Sequence, residues 1–248
     1  MFSGEVRAVD CLSLRVPTGR VLALLGASGC GKTTSLRLIN RLEEPTSGEL
    51  LVRGADVRRQ RPEVLRRSIG YVIQEGGLFP HVDVWHNVAT VPGLLGWSRD
   101  RIRQRITQVL ELVGLPESEF GGRMPHELSG GQRQRVGVAR ALASDPDILL
   151  MDEPFGALDP GTRESLQDEF VNLQAQLQKT VVLVTHDIVE AGRLAQEIVL
   201  LDRGRVVQQG TLADLLLHPA DERAEAFLGK RRRDLIRLCL PQHSSAIC

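Results

Sequence analysis

The sequence predicts an α/β domain in which helices flank a mostly parallel sheet. Short apolar runs such as Val21–Leu25 and Val181–Thr185 alternate with longer stretches of helical period. The run Asp147–Glu153 is continuously apolar in its centre and ends in two carboxylates, as expected for a parallel strand buried on both faces. In this fold class, ligands bind beyond the carboxyl ends of the strands. Ligand-binding residues are therefore expected at those strand ends.

The remaining strands are predicted from alternation and from turn residues. Leu12–Val16 alternates apolar and polar residues and ends at Pro17–Gly19, which predicts a strand within an N-terminal antiparallel β region. Further apolar runs bounded by turn residues predict two strands and a closing hairpin: Gly48–Gly54, Ile69–Ile73, and the pair Ile198–Leu201 and Val206–Gln208.

Between about residues 83 and 143 the pattern is helical, which predicts a helical subdomain. One helical face is marked by residues that recur at i, i+4, i+7, i+8 and i+11: Ile102, Ile106, Val109, Leu110 and Val113. A second helix opens at Leu128–Gln132, and a later one begins at Asp159–Pro160, with Asp as N-cap and Pro at the first position. We expect one domain over residues 1–230 and a short tail over 231–248, without a regulatory domain.

Composition excludes several classes of protein. The 31 basic and 31 acidic residues balance, so there is no electrostatic case for a nucleic-acid-binding protein. The cysteines show neither metal-ligand nor paired spacing, which favours a reducing cytosol: Cys11, Cys30, Cys239 and Cys248. No apolar run approaches the roughly 20 residues of a membrane span. A membrane role would therefore require a partner.

A glycine-rich loop after the first apolar strand predicts a polyphosphate site. Gly26–Thr33 matches G-x-x-x-x-G-K-[ST] and lies between a strand and a helix, the context that this pattern needs. Converging backbone N–H groups and the helix dipole would bind phosphate, Lys32 would reach the β- and γ-phosphates, and Thr33 would ligate Mg²⁺. The alternative, a glycine-rich turn after a buried strand, is disfavoured by this context. The predicted nucleotide ligands are Gly26, Ala27, Ser28, Gly29, Cys30, Gly31, Lys32, Thr33 and Thr34.

Polar residues at other strand ends complete a predicted phosphoryl-transfer site, which needs positioning and charge neutralisation. Asp152 suits Mg²⁺ coordination, directly or through water, and Glu153 suits a base that orients the attacking water. Gln74 could contact the metal or the water, and His186 could hold the γ-phosphate and the base in register. Taken alone, Gln74 and His186 are more often structural residues. The predicted catalytic residues are Glu153, His186 and Lys32, and the predicted metal ligands are Thr33, Gln74 and Asp152.

A second anion site is predicted where Ser129 caps a helix that opens with Gly130 and Gly131. One chain then has two half-sites for phosphate. Head-to-tail pairing of two chains would let each close the nucleotide of the other, with Ser129, Gly130, Gly131 and Gln132 acting in trans.

Together these motifs resemble the nucleotide-binding subunits of ATP-binding cassette transporters over about residues 1–230. They stand in family order: Gly26–Thr33 as Walker A, Gln74 as the Q-loop, Leu128–Gln132 as the signature, Ile148–Asp152 as Walker B, Glu153 as the catalytic glutamate, Ala157–Asp159 as the D-loop and His186 as the switch histidine. The resemblance implies a P-loop NTPase cassette that binds ATP with Mg²⁺ and hydrolyses it at the interface of a homodimer. It further implies transmembrane permease subunits docked near Gln74, an extracytoplasmic solute-binding protein and a peripheral location at the cytoplasmic face of the inner membrane.

A narrower resemblance concerns the osmoprotectant importers, which take up glycine betaine, choline, carnitine or related quaternary amines. It rests on Asn40–Thr46, Ile69–His81 and Val91–Trp97. The stretch after Gln74 would meet the membrane subunit, so it reports the partner and not the solute. Import of another solute, such as an amino acid or a polyamine, stays open. A non-transport cassette acting on DNA or ribosomes is disfavoured by the single phosphate loop and the short gap from Gln74 to Leu128, and an inactive cassette by the intact Lys32, Glu153 and His186.

Two features depart from the family pattern. The family usually has a first strand that carries an aromatic residue stacking on adenine. Here Phe2 is the only aromatic residue near that position, and we expect it to be the adenine platform if one is present. Relatives also often continue into paired regulatory domains, and we expect that sensing function to be absent from this chain.

Overall fold

The computed structural model describes residues 7–229 and 232–239. The chain divides into two compact units. The terminal unit contains the described residues up to Glu49 and from Val182 onward, and the central unit contains Leu50–Val181. No helix among the described residues is long and apolar enough to cross a bilayer.

Elements are numbered in chain order. Within the described residues the strands are β1 Val21–Leu25, β2 Leu51–Val52, β3 Ala55–Asp56, β4 Ile69–Val72, β5 Ile148–Asp152, β6 Thr180–Thr185, β7 Glu197–Asp202 and β8 Arg205–Gly210. The α-helices are α1 Lys32–Ile39, α2 Pro62–Arg67, α3 Val84–Leu94, α4 Arg99–Leu112, α5 Glu117–Phe120, α6 Gly130–Leu142, α7 Pro160–Leu177, α8 Ile188–Leu194, α9 Leu212–Leu217, α10 Glu222–Leu228 and α11 Arg232–Cys239. Short 3₁₀ turns cover Val57–Arg59, Gln74–Gly76 and Pro125–Glu127.

In the terminal unit the strand order is β6-β1-β7-β8. β1 and β7 are parallel, with Leu22 opposite Glu197 and Leu25 opposite Leu200. All five residues of β1 are buried, which explains why its sequence is apolar without alternation. One core cluster joins these strands to α8, α9 and α11, and its members include Ala23, Leu25, Ile188, Ile198, Leu200, Leu216 and Ile236.

β7 and β8 form the predicted antiparallel hairpin. Its two turn residues, Arg203 and Gly204, both have positive φ values, of 47° and 80°. This is the conformation that matches the right-handed twist of paired strands in a two-residue hairpin loop. The hairpin prediction is confirmed.

In the central unit β4 and β5 are parallel, from Ile69 opposite Ile148 to Val72 opposite Met151. Helices α3, α4 and α6 pack against one another, and their facing residues are fully buried: Val84, Val88, Ile106, Val109, Leu110, Val136, Ala139 and Leu142. The predicted face of α4 is therefore a core face. These helices fall within residues 83–143, and the bounds of a helical subdomain stay a prediction.

The mostly parallel α/β fold class is confirmed, and two strand predictions need correction. Leu12–Val16 forms no strand, although its residues alternate between half-buried and exposed as the sequence does. Alternation predicts which side chains face inward, but a strand also needs a hydrogen-bonded neighbour, which the pattern does not specify. Gly48–Gly54 contains only the two residues of β2, because the chain turns at Arg53 and Gly54 and pairs antiparallel with β3.

Candidate functional site

The phosphate loop lies in the terminal unit, between β1 and α1. Gly31 is the N-cap of α1 with φ of 107°, and a Cβ there would lie 2.2 Å from the carbonyl oxygen of Ala8. Only glycine fits this position. No side chain caps α1, and its first turn has no acidic residue. The helix dipole and its N-terminal N–H groups therefore face a loop that favours an anion.

Lys32 is held across this loop. Its side chain is only 5% exposed, and its Nζ donates hydrogen bonds to the carbonyl oxygens of Gly26 at 2.7 Å and Ala27 at 2.9 Å. The tip of the loop, residues 27–29, is exposed. A Cβ on Gly29 would meet no protein atom within 4 Å. The loop thus combines a positioned ammonium group with open space at its tip, which fits a phosphate chain.

His186 lies in the same unit and follows the last residue of β6. It is exposed, whereas the five residues before it are buried. The turn after it is fixed, because the Thr185 hydroxyl accepts a hydrogen bond from the Asp187 backbone N–H at 3.0 Å, and Asp187 caps α8. The strand end therefore presents the imidazole to solvent at a defined point of the chain.

Asp152 lies in the central unit at the end of β5. It is 6% exposed, and its Oδ2 accepts a hydrogen bond from the Tyr71 hydroxyl on the neighbouring β4 at 3.5 Å. A carboxylate this buried is retained where a cation or donors compensate its charge. The sequence reasoning missed Tyr71, although its place on the strand before Gln74 was a signal.

Glu153 has an unusual backbone conformation. Its φ is +44°, in the left-handed region that non-glycine residues rarely adopt. Its carbonyl oxygen accepts a hydrogen bond from the Gly156 N–H at 3.2 Å, which closes a turn directly after β5. Such strain costs of order 1–3 kcal/mol and clusters at functional sites. Turn residues such as Arg203 share this conformation, so the strain accompanies the motif at Glu153 and does not by itself identify the residue.

Two other predicted residues also lie in the central unit. Gln74 is exposed and begins a 3₁₀ turn. Ser129 is exposed and caps α6: its Oγ accepts from the Gln132 N–H at 3.2 Å, while the Gln132 Oε1 accepts from the Ser129 N–H at 2.9 Å. The hydroxyl can still donate a hydrogen bond, since it has one O–H and two acceptor positions. Gly130 is exposed and Gly131 is buried against Thr162.

The predicted residues thus divide between the two units of the chain. The terminal unit holds the phosphate loop with Lys32 and the strand end with His186, and the central unit holds the others. Phe2 lies outside the described residues. Among the residues that are described, no three His, Cys, Asp or Glu side chains form a metal-binding cluster. A magnesium ion held by one carboxylate, one hydroxyl and phosphate oxygens needs no such cluster.

Sequence reasoning also missed two buried polar residues that fix the loop after Gln74. Asn87 is fully buried on α3, and Arg140 is 8% exposed on α6. Asn87 accepts from the Phe79 N–H and donates to the carbonyl oxygens of Phe79, Val82 and Asp83, at 2.8–3.1 Å. The sequence carried no clear signal for either residue, because α3 also contains His86 and Thr90 and α6 also contains the polar run 132–135.

The model of the ABC transporter family matches residues 9–156, which is more than half of the chain. The chain belongs to the ABC transporter family. Its motifs can therefore be compared with those of known ABC proteins.

Curated relatives of this ABC chain include importer ATPases. It is 51% identical over 231 residues to the choline transport ATP-binding protein OpuBA of Bacillus subtilis, covering 93% of this chain and 60% of that protein. It is 53% identical over 227 residues to the glycine betaine uptake system ATP-binding protein YehX of Escherichia coli, covering 92% of this chain and 73% of that protein. The chain spans about three fifths of the length of several relatives, the Bacillus protein included.

A solved structure supports the fold. The ABC chain is similar to the ATP-binding cassette MJ0796, described as a dimer in a post-hydrolysis state bound to ADP and Pi. The TM-score is 0.76 and the identity is 35%, and the match covers 86% of this chain and 94% of that one. The chain thus has the fold of ATP-binding cassettes.

Proposed function

We propose that this chain is the ATP-hydrolysing subunit of an ABC importer for osmoprotectants such as glycine betaine, choline or carnitine. The observation that carries the proposal is the combination of a buried Lys32 held across an open phosphate loop with a strained Glu153 directly after the buried Asp152. The names of the relatives support the solute class.

ATP is the proposed ligand of the phosphate loop. The backbone N–H groups of residues 26–31 and the N-terminus of α1 bind its phosphate oxygens. Lys32 exchanges its bonds to the Gly26 and Ala27 carbonyl oxygens for stronger, charge-assisted bonds to phosphate. Because Lys32 is already buried and oriented, little side-chain entropy is lost on binding.

Mg²⁺ is the proposed metal, held by the Thr33 hydroxyl, the Asp152 carboxylate and the Gln74 amide oxygen. These are hard oxygen ligands, which Mg²⁺ prefers. The ion supplies neutralisation of phosphate charge when bound. Tyr71 keeps the Asp152 carboxylate oriented through its hydroxyl.

Glu153 is the proposed base. Its carboxylate accepts a hydrogen bond from the attacking water and so orients it, and His186 holds the γ-phosphate and Glu153 in register. Phosphoryl transfer depends mainly on such positioning. Family membership, and not a measured distance, supports placing the residues of the two units in one reaction.

The proposed working form is a homodimer in which Ser129, Gly130, Gly131 and Gln132 of one chain close the nucleotide of the other. The dimeric state of the similar MJ0796 cassette supports this. Permease subunits dock near Gln74, where Ile73 and Phe79 are exposed apolar residues. An extracytoplasmic protein delivers the solute, no nucleic acid is bound, and the chain is peripheral at the cytoplasmic face of the inner membrane.

Two variants and an uptake assay test this function. Lys32→Ala should lose nucleotide binding by roughly 10- to 150-fold, the worth of a hydrogen bond to a charged group. Glu153→Gln should bind ATP normally and lose about 10²–10⁴-fold in turnover, the worth of a positioned general base. Deleting the gene should reduce uptake of labelled glycine betaine or choline. Loss of spermidine or amino-acid uptake instead would support the alternative solutes.

A further inference from the structure

The backbone of the Gln74 turn rests directly on helix α6. Gly76 has φ of +79°, and a Cβ on it would lie 2.9 Å from the carbonyl oxygen of Arg133. Conversely, a Cβ on Gly137 would lie 3.1 Å from the carbonyl oxygen of Gly76. The two glycines therefore allow the backbones of the turn and of the helix to be in direct van der Waals contact. Any larger side chain at Gly76 would separate them.

Arg140 fastens this contact. It lies one helical turn beyond Gly137, and its guanidinium donates to the carbonyl oxygens of Gly77 at 2.9 Å and Gly76 at 3.0 Å. It also lies 5.7 Å from the centre of the Phe79 ring. Burial lowers the pKa of Arg140 from its usual range, and no charge partner contributes to that shift. The carbonyl dipoles of the turn thus compensate the buried cation.

The helix that carries Arg140 also begins at the cap residue Ser129. From Ser129 to Arg140 is eleven residues, or about 17 Å along an α-helix. Such a helix transmits displacement as a rigid element. Arg140 therefore links the turn that begins at Gln74 to the helix whose N-terminus presents Ser129.

We propose that Arg140 is a positioning residue that makes the Gln74 turn and the Ser129-bearing helix α6 move as one body. The expected effect on ATP turnover rests on the proposed function, which assigns Gln74 to the metal and Ser129 to the nucleotide of the partner chain. The coupling of the turn to α6 does not depend on that assignment. When the turn shifts, the two guanidinium bonds of Arg140 make α6 move with it. Ser129 therefore reaches the nucleotide of the partner chain only when Gln74 moves as well.

A matched control separates positioning from stability. Arg105 on α4 is also partly buried and also donates two hydrogen bonds to backbone carbonyl oxygens of the α6 region, those of Leu142 at 2.8 Å and Ala143 at 3.3 Å. Burial lowers its pKa as well. Arg105→Ala therefore removes two guanidinium bonds to the C-terminal end of α6 without touching the Gln74 turn.

The first measurement is amide hydrogen exchange in the nucleotide-free chain. Arg140→Ala should accelerate exchange in the Gly76–Phe79 segment by roughly 100-fold or more, since two bonds from a charged donor are lost. Arg105→Ala should leave that segment unchanged. Arg140→Lys should restore the segment only in part, because a lysine cannot bond both carbonyl oxygens as a fork. If Arg140→Ala does not fold, Arg140→Lys is compared with Arg105→Ala in its place.

The second measurement is steady-state ATPase activity of the same variants. Arg140→Ala should lower kcat by about tenfold or more and leave KM for ATP within about twofold, because the phosphate loop is intact. Arg105→Ala should change neither, even at an equal loss of Tm. Equal exchange and equal kcat in the two alanine variants would overturn the proposal. If the wild-type chain shows no ATPase activity, the proposed function fails, and hydrogen exchange alone decides on Arg140.

Discussion

Replacing Glu153 by glycine should stabilise the protein while abolishing its activity. Glu153 has φ of +44°, a conformation that costs an L-residue roughly 1–2 kcal/mol and glycine almost nothing. Against this, glycine has more conformational entropy in the unfolded chain, which lowers the free energy of unfolding by about 0.4–1 kcal/mol. The difference leaves a net stabilisation of about 1 kcal/mol, or roughly 2–4 °C in Tm for a chain of this size.

Glu153→Ala is the reference that isolates the backbone effect. Alanine removes the same carboxylate but keeps a Cβ, so it retains the strain that glycine relieves. Urea unfolding should rank Glu153→Gly above Glu153→Ala by about 1 kcal/mol with equal m-values. Both variants should lack ATP hydrolysis. If the glycine variant were no more stable than the alanine variant, the inference that Glu153 is strained would be refuted.

Three further predictions follow from other contacts. Asn87→Ala should lower the free energy of unfolding by about 1–3 kcal/mol in urea unfolding, because the Phe79 N–H and the Val82 carbonyl oxygen lose their partly buried bonds to the Asn87 side chain; an unchanged midpoint would contradict this. The hydrogen bond from Lys179 lowers the pKa of the Asp145 carboxyl below its ordinary value, so this contribution to stability is present above the ordinary pKa and is lost as pH falls through the lowered one. Asp145→Asn should thus cost at most about 1 kcal/mol near neutral pH, since the carboxylate is largely exposed, and nothing in strong acid; a difference that persists in acid would argue against the ion pair. Ser129→Arg and Lys32→Ala chains, each inactive alone, should recover part of the ATPase activity when mixed, because a head-to-tail dimer then contains one intact site; no recovery, with an active mixture of wild-type and double-mutant chains as control, would count against closure in trans.

Most strands, helices and motifs could be predicted because their causes are local. β1 is apolar throughout and β5 is apolar up to Asp152, since both their faces are buried. Asp159 and Pro160 set the start of α7 by capping and by a fixed φ. Likewise, the capping box between Ser129 and Gln132 depends on only four consecutive residues. Such features need no knowledge of the rest of the chain.

The features that escaped prediction depend on contacts distant in sequence. Arg140 bonds carbonyl oxygens more than 60 positions away, and Tyr71 contacts Asp152 from 81 positions away. No local sequence pattern distinguishes a buried helical arginine that donates hydrogen bonds to a distant turn from a helical arginine exposed to solvent. The Leu12–Val16 prediction failed for the same reason, because the pattern fixes sidedness and not a strand partner.

The strain at Glu153 explains how two consecutive carboxylates can have different tasks. Along a strand, successive side chains point to opposite faces of the sheet, so a β5 extended by one residue would send Glu153 away from the face that Asp152 occupies. The left-handed conformation of Glu153 ends the strand at Asp152 and releases Glu153 from that alternation. Its carbonyl then closes the turn to Gly156, and Arg163 braces that turn through the carbonyl oxygens of Phe155 and Leu158. The strain is therefore maintained by the turn that follows, which is why glycine at this position should keep the turn and lose only the chemistry.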